Sequence, residues 1–493
     1  GRTALEYQAV QAKGRRQGPR TVAHHENRVL NPKARKRMEE TATDQNRNYS
    51  IIAWAVRLHL DYVSQFNPNP STGSRAVDKE IKRRLKEGGK RRNFDVSKRH
   101  NRSQAMRMFE LSKILEGDAA FLNVGGGRWQ LIEGRMIGKP KAAPKKGVRG
   151  LTKRRFEAMK DSGFINDPIT GEILFAAINR FSKNGRDKEY AALVSAANLI
   201  FDAYYPRENS SRGVSPLSTA INQATDVYEN FEFTLLKIKL HTLLGVAITR
   251  DGGDDDGFSG GEDEDEDDEQ YTSGVAPEIQ LGNGVVQLGL DPGEDVKTIE
   301  SQTPSDQFVD FSRMMIRIIL LALDIPFTLF DSMQSSFSAR IADINQYERS
   351  TRWKIEKNIE VLEEMTEADV SRWLQDKEFT DLLKSEEVSP VGLNEAISWI
   401  PVGVPWFDKL KEVKGDEVAI AIGVDSTPRA ARRRGLDAYD ILDEQADFLK
   451  AAKEAGVPHV IGQPGQATVE EKTEVPREDD DGEIVEVEGG LWT

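Results

Sequence analysis

The stretch that decides the fold spans residues 214–353 and opens with VSPLSTAINQATDVYENFEFTLLKIKLHTLLGVAI at positions 214–248. We predict a first helix from about Ser215 to Ile248, with Ser215 as its N-cap and Pro216 in the first turn, where proline is tolerated. At 1.5 Å per residue this helix is a rod of roughly 50 Å, which few compact domains need. Its apolar residues recur every three or four positions and share one face: Leu217, Ile221, Ala224, Tyr228, Phe231, Leu235 and Ile238.

A second helix is predicted to begin at Thr303, because Thr303, Pro304 and Asp306 fit a capping box with proline at the first helical position. Pro326 is expected to end this helix, since the residue before a proline is driven out of the helical conformation. The predicted apolar stripe consists of Phe308, Phe311, Met315, Ile318 and Ala322.

A third helix is predicted after the short, Ser-rich loop from Asp331 to Ser338. Its apolar positions again repeat every three or four residues, and its other positions are dense with charge. The predicted apolar face carries Ile341, Ile344, Thr351, Ile355, Ile359 and Leu362. The predicted charged face carries Arg349, Arg352, Lys354, Glu356, Lys357 and Glu360.

The insertion between the first two helices is the most biased part of the chain. A calcium loop starting at Asp251 is disfavoured, because Asp256 occupies the position that needs glycine. The unbroken acidic run at 262–269 repels itself, so we predict a mobile loop there, followed by short strands at Val285 to Leu288 and Val296 to Ile299. The run consists of Glu262, Asp263, Glu264, Asp265, Glu266, Asp267, Asp268 and Glu269.

The chain before this stretch mixes predicted helices and strands. Asn31 followed by Pro32 predicts a helix start. Tyr49 to Phe66 is predicted to be a second helix, and Asn67 to Gly73 a turn region. The apolar face of that second helix carries Ile52, Val56, Leu60 and Val63.

A glycine-rich hairpin is predicted in the same part of the chain. It follows a helix from Ala105 to Leu115 that ends near Gly117. Two strands, Ala120 to Val124 and Trp129 to Ile132, are joined by three glycines at 125–127. These glycines do not form a phosphate loop, because no Lys-Ser or Lys-Thr follows at the required offset.

The C-terminal part is predicted to be helical from Pro428 to Ala455, with a ragged apolar stripe. Residues 462–493 are Gly/Pro-rich and then acidic, and residues 1–29 lack an apolar period, so both ends are expected to be disordered. The stripe carries Ala431, Leu436, Tyr439, Ile441, Leu442 and Phe448, and a basic cluster carries Arg429, Arg432, Arg433 and Arg434.

Bulk composition indicates a chain of two to four domains that can bury a core. The chain has 493 residues, of which 38% are hydrophobic and 30% charged, and it has no cysteine, which excludes disulfides and fits assembly in a reducing cytoplasm. The richest apolar run, Ile318 to Phe330, is broken by Asp324 and Pro326, so no membrane span is predicted. The net charge of −13 conceals a basic region at 11–160 and acidic regions at 251–300 and 470–490, an asymmetry that suggests a protein meeting a polyanion.

No catalytic, metal or cofactor site is predicted. His24, His25 and Glu26 lie in the expected arm, where side chains are not fixed well enough to ligate a metal. The letters from Gly257 to Gly261 match a nucleophile elbow, but the strand before and the helix after it are missing.

Short motifs around this stretch resemble those of the portal proteins of lambda-like tailed bacteriophages. Four occur in the family's order, at 211–217, 291–294, 324–326 and 337–340. Each is weak alone, and their order and spacing over about 130 residues carry the resemblance. Fainter matches lie at 46–49, 116–118, 131–137, 163–172 and 399–427. Gly134 stands where the family usually has proline, which predicts a looser turn.

The resemblance implies an α+β portal fold that assembles as a ring, with twelve copies in the virion. It also implies the domain order. Residues 1–30 are an N-terminal arm, 31–213 the first part of a wing, 214–250 stem helix 1, 251–302 a clip with the acidic loop, 303–326 stem helix 2, 327–338 a tunnel loop, 339–425 the wing with a spine helix, 426–460 a crown, and 461–493 an acidic tail.

The resemblance further implies a channel at one capsid vertex for DNA packaging and ejection, without enzyme activity or a cofactor. The expected partners are further copies of the chain, double-stranded DNA passing through without sequence specificity, the major capsid protein, the terminase motor and a head-tail adaptor. The expected locations are the virion and, during assembly, the host cytoplasm.

Lys139 to Arg155, basic and Pro-rich, is predicted to be a solvated loop, with contact to packaged DNA or another subunit as the alternative.

Candidate DNA-facing residues follow from this arrangement. A passage that grips many phosphates would stall the duplex, so mostly acidic or neutral walls with a few cations are expected. The stem candidates are Lys237, Lys239, Arg313 and Arg317, with inter-subunit salt bridges as the alternative. The tunnel-loop candidates are Asp331, Met333, Gln334, Ser335 and Ser336, with an ordinary surface loop as the alternative.

Two other classes of function stay open on the sequence alone. A monomeric nucleic-acid-processing enzyme with an acidic metal site would show magnesium-dependent turnover. A capsid or scaffold protein would form shells or filaments rather than closed rings.

Overall fold

The computed structural model describes residues 31–140, 152–159, 162–185, 187–208, 210–244, 246–250, 280–282, 285–287, 294–298, 306–331, 336–402 and 409–456. The predicted terminal arm and tail, the acidic run, most of the capping box at 303–306 and the loop tip at 332–335 lie outside these residues. The chain divides into one unit at residues 1–414 and another at 415–493. Helices and antiparallel strands are mixed, which confirms the predicted α+β class.

The described helices are α1 (Pro32–Asn48), α2 (Ser50–Val63), α3 (Arg75–Gly88), α4 (Arg91–Phe94), α5 (Arg102–Glu116), α6 (Lys153–Ala158), α7 (Ile221–Leu244), α8 (Asp306–Leu321), α9 (Phe337–Trp373), α10 (Lys377–Ser385), α11 (Lys409–Ala421), α12 (Thr427–Arg433) and α13 (Ala438–Glu454). The described strands are β1 (Phe66–Pro70), β2 (Asp118–Gly125), β3 (Arg128–Glu133), β4 (Phe164–Asn166), β5 (Ile173–Phe181), β6 (Lys188–Ser195), β7 (Leu199–Ala203), β8 (Val246–Arg250), β9 (Gln280–Gly282), β10 (Val285–Gln287), β11 (Glu294–Thr298) and β12 (Ile397–Pro401).

Local signals place the first helices and the hairpins correctly. The Asn31 side chain accepts hydrogen bonds from the backbone N–H groups of Lys33 and Ala34, so α1 begins where predicted. All four predicted apolar positions of α2 are buried. The hairpin of β2 and β3 turns through glycines at 125–127 that all have positive φ, and the predicted turn at 163–172 joins β4 to β5.

The turn predicted from Asn67 to Gly73 is wrong over its first half. Residues 66–70 form β1, which pairs antiparallel with β12. Asn69 Nδ2 donates to Ser398 Oγ, 329 positions away. Pro68 and Pro70 alternate with the residues that bond across the pair, so a strand that carries two prolines keeps its ladder. The predicted second helix consequently stops at Val63, before Phe66 joins this strand.

The first long helix is shorter than predicted at both ends. Ser215 Oγ accepts from the Leu217 N–H as expected, but it caps a single 3-10 turn at Pro216–Thr219 before α7 starts. Val246 to Ile248 are strand rather than helix, because they pair antiparallel with β11 and two of the three are β-branched. Short strands are present near both predicted places, as β10 and β11.

The predicted apolar stripe of the second helix is confirmed only in part. Met315 and Ala322 pack against the core, whereas Phe311 and Ile318 are exposed. The buried residues of this helix are Ile316, Ile319 and Leu320, which were not in the predicted stripe. Helix α8 has apolar residues on two opposite faces, so the 3.6-residue period alone does not tell which face the chain covers. The helix also ends at Leu321, five residues before Pro326, in a turn that leads to Asp324 with φ +59°.

Helix α9 is one continuous helix of 37 residues that passes two hydrophobic cores. Tyr347 belongs to the core built on α2, α5 and the bases of α7 and α8. Leu362 and Met365 belong to the core built on α3, α5, β2, α10 and β12. Lys354, predicted on the charged face, is buried, and Ile341, predicted on the apolar face, is exposed. The buried face of α9 also contains polar side chains, such as Lys354 and Asn358, and the spacing of apolar residues in the sequence does not reveal that these are buried.

The second unit contains a broken helix rather than the continuous one predicted from Pro428 to Ala455. Gly435, with φ +70°, separates α12 from α13. Leu436, Tyr439 and Leu442 are exposed, so most of the predicted stripe has no cover within the described part of this unit. Ala431 is buried.

The turn at Gly134 is tight, contrary to the looser turn predicted there. Its N–H donates to Ser112 Oγ at 3.2 Å, and its carbonyl accepts from Arg212 at 2.7 Å. A Cβ on Gly134 would lie 2.3 Å from Oδ1 of Asp118.

Gly134→Ala is therefore expected to lower the free energy of unfolding by about 2 kcal/mol, because a buried turn must shift to admit one methyl group. Gly415→Ala is the matched control, since its Cβ would meet nothing within 4 Å. Gly415 lies within α11, where replacement of glycine by alanine should be neutral or stabilising by up to about 1 kcal/mol. Equal stabilities of the two variants in urea titrations would contradict the prediction.

Candidate functional site

Helices α7 and α8 pack side by side and form what we call the helical arm. The chain leaves α7 through β8 and returns to α8 from β11, and these two strands pair antiparallel. The rings of Phe231 and Phe308 meet edge to face, 6.1 Å apart. The arm thus brings together two segments that the acidic insertion separates in the sequence.

The base of the arm is buried and its far half is not. Ala224 and Val227 are buried near the start of α7, and Ile316 and Leu320 near the end of α8. Among the described side chains of residues 228–239 and 306–315, none is buried. The arm is therefore anchored at one end only, in the core that also contains Tyr347.

The face of α8 opposite its buried residues is also apolar. Its members recur at spacings of three, four and three, and their exposed fractions range from 39% to 68%. We call this set the outer stripe, and it consists of Phe311, Met314, Ile318 and Leu321.

The structure places the four predicted stem cations on this arm. Lys237 and Lys239 are exposed on the far half of α7. Arg313 lies 3.9 Å from Asp310 and 3.8 Å from Asp331, and the Arg317 guanidinium lies 4.6 Å from the centre of the Phe327 ring. The two arginines thus contact groups within the same chain, and the two lysines project from it. DNA contact by all four stays a prediction.

Anchors that the sequence did not indicate hold both ends of the predicted tunnel loop. On the first side, Thr328 Oγ1 donates to Asp343 at 2.8 Å, and the Phe330 ring meets Trp54 edge to face at 5.4 Å. On the second side, Ser336 caps α9 by accepting from the Ala339 N–H. Asp331 is half-buried, and Met333, Gln334 and Ser335 lie outside the described residues.

A series of polar contacts runs from the exposed Asp324, in the turn after α8, through the buried side chains of Lys354 and His59. Lys354 Nζ lies 3.5 Å from the Asp324 carboxylate and 3.4 Å from His59 Nε2. On the other side of the ring, His59 Nδ1 lies 2.8 Å from the Tyr347 hydroxyl. Burial and the nearby ammonium of Lys354 hold the pKa of His59 well below its usual value, so the ring is neutral near pH 7. These contacts connect α2 and α9 to Asp324, in the turn that follows α8.

A second buried polar cluster surrounds the Lys113 ammonium. Asp202 lies 2.7 Å away, and Glu110 and Asn358 each 2.9 Å away. Burial by itself lowers the pKa of Lys113, but the two carboxylates outweigh it, and the net direction is upward. Asn358 also donates to the Val63 carbonyl at 2.9 Å. The cluster therefore ties α9 to α2, α5 and β7 through charges that are neutralised where they are buried.

Neither a metal cluster nor a membrane span is found in the described part of the chain. No group of three or more His, Asp or Glu residues there is arranged to hold an ion. Of the described helices, none is both long and apolar enough to cross a bilayer.

Comparison with known proteins identifies the family. Residues 13–354 match the family described as "Phage portal protein, lambda family". This chain belongs to that family. It is 24% identical to the "Probable portal protein" of Halomonas phage phiHAP-1 over 218 residues. The match covers 42% of this chain and only 39% of the length of that relative.

Solved structures with a similar chain come from gene transfer agent particles. A chain from the "Neck of native GTA particle computed with C12 symmetry" has a TM-score of 0.42 and 13% identity, covering 80% of this chain and 93% of its own. A chain from the "Neck of empty GTA particle computed with C6 symmetry" has a TM-score of 0.42 and 13% identity, with coverages of 87% and 95%.

Two of the family motifs of this portal protein meet at a buried ion pair. The Arg212 guanidinium, from the motif at 211–217, donates to both carboxylate oxygens of Asp118, from the motif at 116–118, at 2.7 and 2.6 Å. It also donates to the carbonyls of Ile137, Ser162 and Gly134. A Cβ on Gly213 would lie 1.9 Å from the carbonyl oxygen of Gly117, so both glycines are needed for this approach. These two motifs therefore stabilise the fold of the portal protein.

The buried histidine of this portal protein predicts a pH dependence of stability. His59 is neutral when folded and titrates near pH 6.5 when unfolded. Its contribution is therefore fully present above pH 6.5 and is lost as the pH falls, because only the unfolded state then gains a proton. Between pH 6.5 and 5.5 this lowers the free energy of unfolding by about 1 kcal/mol.

The comparison variant is His59→Gln, measured by urea unfolding at both pH values. Glu116, whose pKa burial raises to about 7, gives the opposite slope between pH 4.5 and 7 in both proteins. The difference between the two proteins therefore isolates His59. Parallel pH profiles would rule out His59 as the titrating group.

Proposed function

We propose that twelve copies of this portal-family chain assemble into a closed ring around a channel for double-stranded DNA. The ring would occupy one capsid vertex, dock the terminase motor during packaging and later a head-tail adaptor, and contact the major capsid protein. The chain would act as a structural conduit without turnover of its own. Family membership supports this role.

The outer stripe is the observation that carries the ring proposal. Its four apolar side chains lie on the face of α8 opposite the core and are 39% to 68% exposed in the described chain. A contiguous exposed apolar surface is typical of a protein interface, because burial contributes about 25 cal/mol per Å² removed from water. A neighbouring copy, which presents the same arm in a ring, supplies that cover without a further partner.

The arm then forms the wall of the channel. We propose that Lys237 and Lys239 lie near the duplex and that Arg313 and Arg317 position the tunnel loop through Asp331 and Phe327. Two lysines per subunit give weak phosphate contacts, which allow DNA to slide. The acidic run from Glu262 to Glu269 would lie in the clip, at the end of the arm where the motor and adaptor dock.

Single-particle electron microscopy of the purified protein tests this function. A closed ring with a central opening wider than roughly 20 Å, the width of a DNA duplex, is the expected result. A compact monomer in every buffer, or shells and filaments instead of rings, would contradict it.

A further inference from the structure

The segment from Arg75 to Arg107 is strongly basic, although the whole chain is acidic. It contains thirteen Lys and Arg residues against four Asp and Glu residues, in a chain of net charge −13. It comprises α3, α4, the turn after α4 and the first part of α5. All of it belongs to the described part of the chain, and none of it belongs to the helical arm.

Some of these cations are paired within the chain and others are not. Arg83 binds Glu80, Arg84 binds Asp376, and the buried Arg102 binds Asp369. Six others are exposed and have no carboxylate partner among the described residues. We call these six the basic face, and they are Lys79, Lys86, Arg91, Arg92, Lys98 and Arg99.

A capped turn fixes the end of the basic face. The Asp95 carboxylate accepts hydrogen bonds from the backbone N–H groups of Ser97, Arg99 and His100, and from the Ser97 hydroxyl. Lys98, with φ +58°, adopts the left-handed conformation that non-glycine residues rarely take. The turn therefore holds the backbone of Lys98 and Arg99 in one defined conformation, which is strained at Lys98. A loop that only meets solvent has no need of such a conformation.

The chemistry of the surroundings selects a nucleic acid over a protein as the partner. A protein interface has an apolar centre with charges at its rim. Among the described residues from 66 to 107, no large apolar side chain is exposed. A surface for a phosphate backbone needs cations without such a centre, because binding comes mainly from the release of counterions.

We propose that the basic face binds the phosphate backbone of double-stranded DNA without sequence specificity. This binding goes beyond the proposed channel, since the residues lie on α3, α4 and the following turn rather than on the arm. It provides a second place, outside the passage, at which the protein contacts a duplex.

Binding of the full-length protein to a labelled 30-base-pair duplex, measured over a range of salt concentrations, tests the proposal. The test variant replaces Lys86, Arg91, Arg92 and Arg99 with alanine. The slope of log K against log salt should become shallower by about 3, and the affinity at low salt should fall at least ~10-fold. The matched control changes the charge equally at exposed positions elsewhere, by alanine at Arg37, Lys183, Arg207 and Arg349, and it should keep the wild-type slope.

Three outcomes would contradict DNA binding by the basic face. An unchanged slope in the test variant overturns the proposal, and so does an equal loss in the matched control. A double alanine variant at Lys237 and Lys239 examines the arm separately. If only that variant loses affinity, the basic face is excluded while the channel proposal stands. Thermal unfolding of each variant near the wild-type temperature verifies that these exposed substitutions leave the fold intact.

Discussion

Arg212→Ala is expected to lower the free energy of unfolding by about 3–5 kcal/mol, the largest stability loss predicted for this protein. The substitution leaves the carboxylate of Asp118 buried without its main partner. Burial alone would raise the pKa of Asp118, but Arg212 and Arg35 lower it, so the group is charged in the folded protein. Three backbone carbonyls lose a donor in the same step. Urea unfolding monitored by circular dichroism measures the loss.

Two further variants distinguish the effect of breaking the ion pair from the effect of removing a large side chain. Arg349→Ala removes the same side chain from an exposed position on α9 and should change stability by no more than about 0.5 kcal/mol. A double variant, Arg212→Met with Asp118→Leu, removes both charges and should be more stable than Arg212→Ala, because no unpaired buried charge remains. If that double variant is the less stable protein, the loss arises from packing and not from the orphaned carboxylate.

Met314→Asp combined with Leu321→Asp is expected to abolish ring assembly while leaving the subunit folded. Each of these side chains is at least half exposed, so its loss within one chain is small. In a ring each would be covered by a neighbour, and every subunit contact would lose about 1.5–3 kcal/mol per apolar side chain and also bury a carboxylate. The effect repeats at every interface. Light scattering coupled to size-exclusion chromatography should change from a ring mass to a monomer mass.

The matched control places the same two substitutions outside the arm. Ile169 and Val391 are 92% and 86% exposed, and Ile169→Asp with Val391→Asp adds the same charge. This control should assemble like the wild type. Rings formed equally by both double variants would show that the outer stripe is not an interface, and loss of assembly in both would indicate an effect of charge alone.

The caps at Asn31 and Ser215 and the glycine hairpin were predictable because the groups that decide them are neighbours in the chain. Asn31 and Ser215 cap the backbone within three residues of themselves, and the glycines at 125–127 allow positive φ directly in the hairpin. The family resemblance rests on similar local motifs, and the match over residues 13–354 confirms it. Within the candidate site, these local signals in the sequence predicted two long helices on either side of an acidic insertion.

The composition of the buried face of α9 could not be predicted in this way. Lys354 was assigned to the solvent because a lysine is usually exposed, yet it is buried, with its ammonium near the exposed carboxylate of Asp324 and the buried ring of His59. The anchors of the tunnel loop were missed for a similar reason. Trp54 and Asp343 lie far from residues 327–330 in the sequence, and nothing local to either residue indicates the contact.

The sequence by itself determined many of the helices and hairpins, the caps at Asn31 and Ser215, the α+β class and the family, because each depends on local backbone chemistry or on ordered motifs. Only the tertiary structure decided which face of α8 enters the core, that β1 pairs with β12, and that Arg212 and Asp118 meet. Each of these depends on a partner brought close by folding. An amphipathic period specifies that a face needs cover, whereas the identity of the cover depends on the packing of the whole chain. In α8, two apolar faces required cover, and the single chain buries one of them.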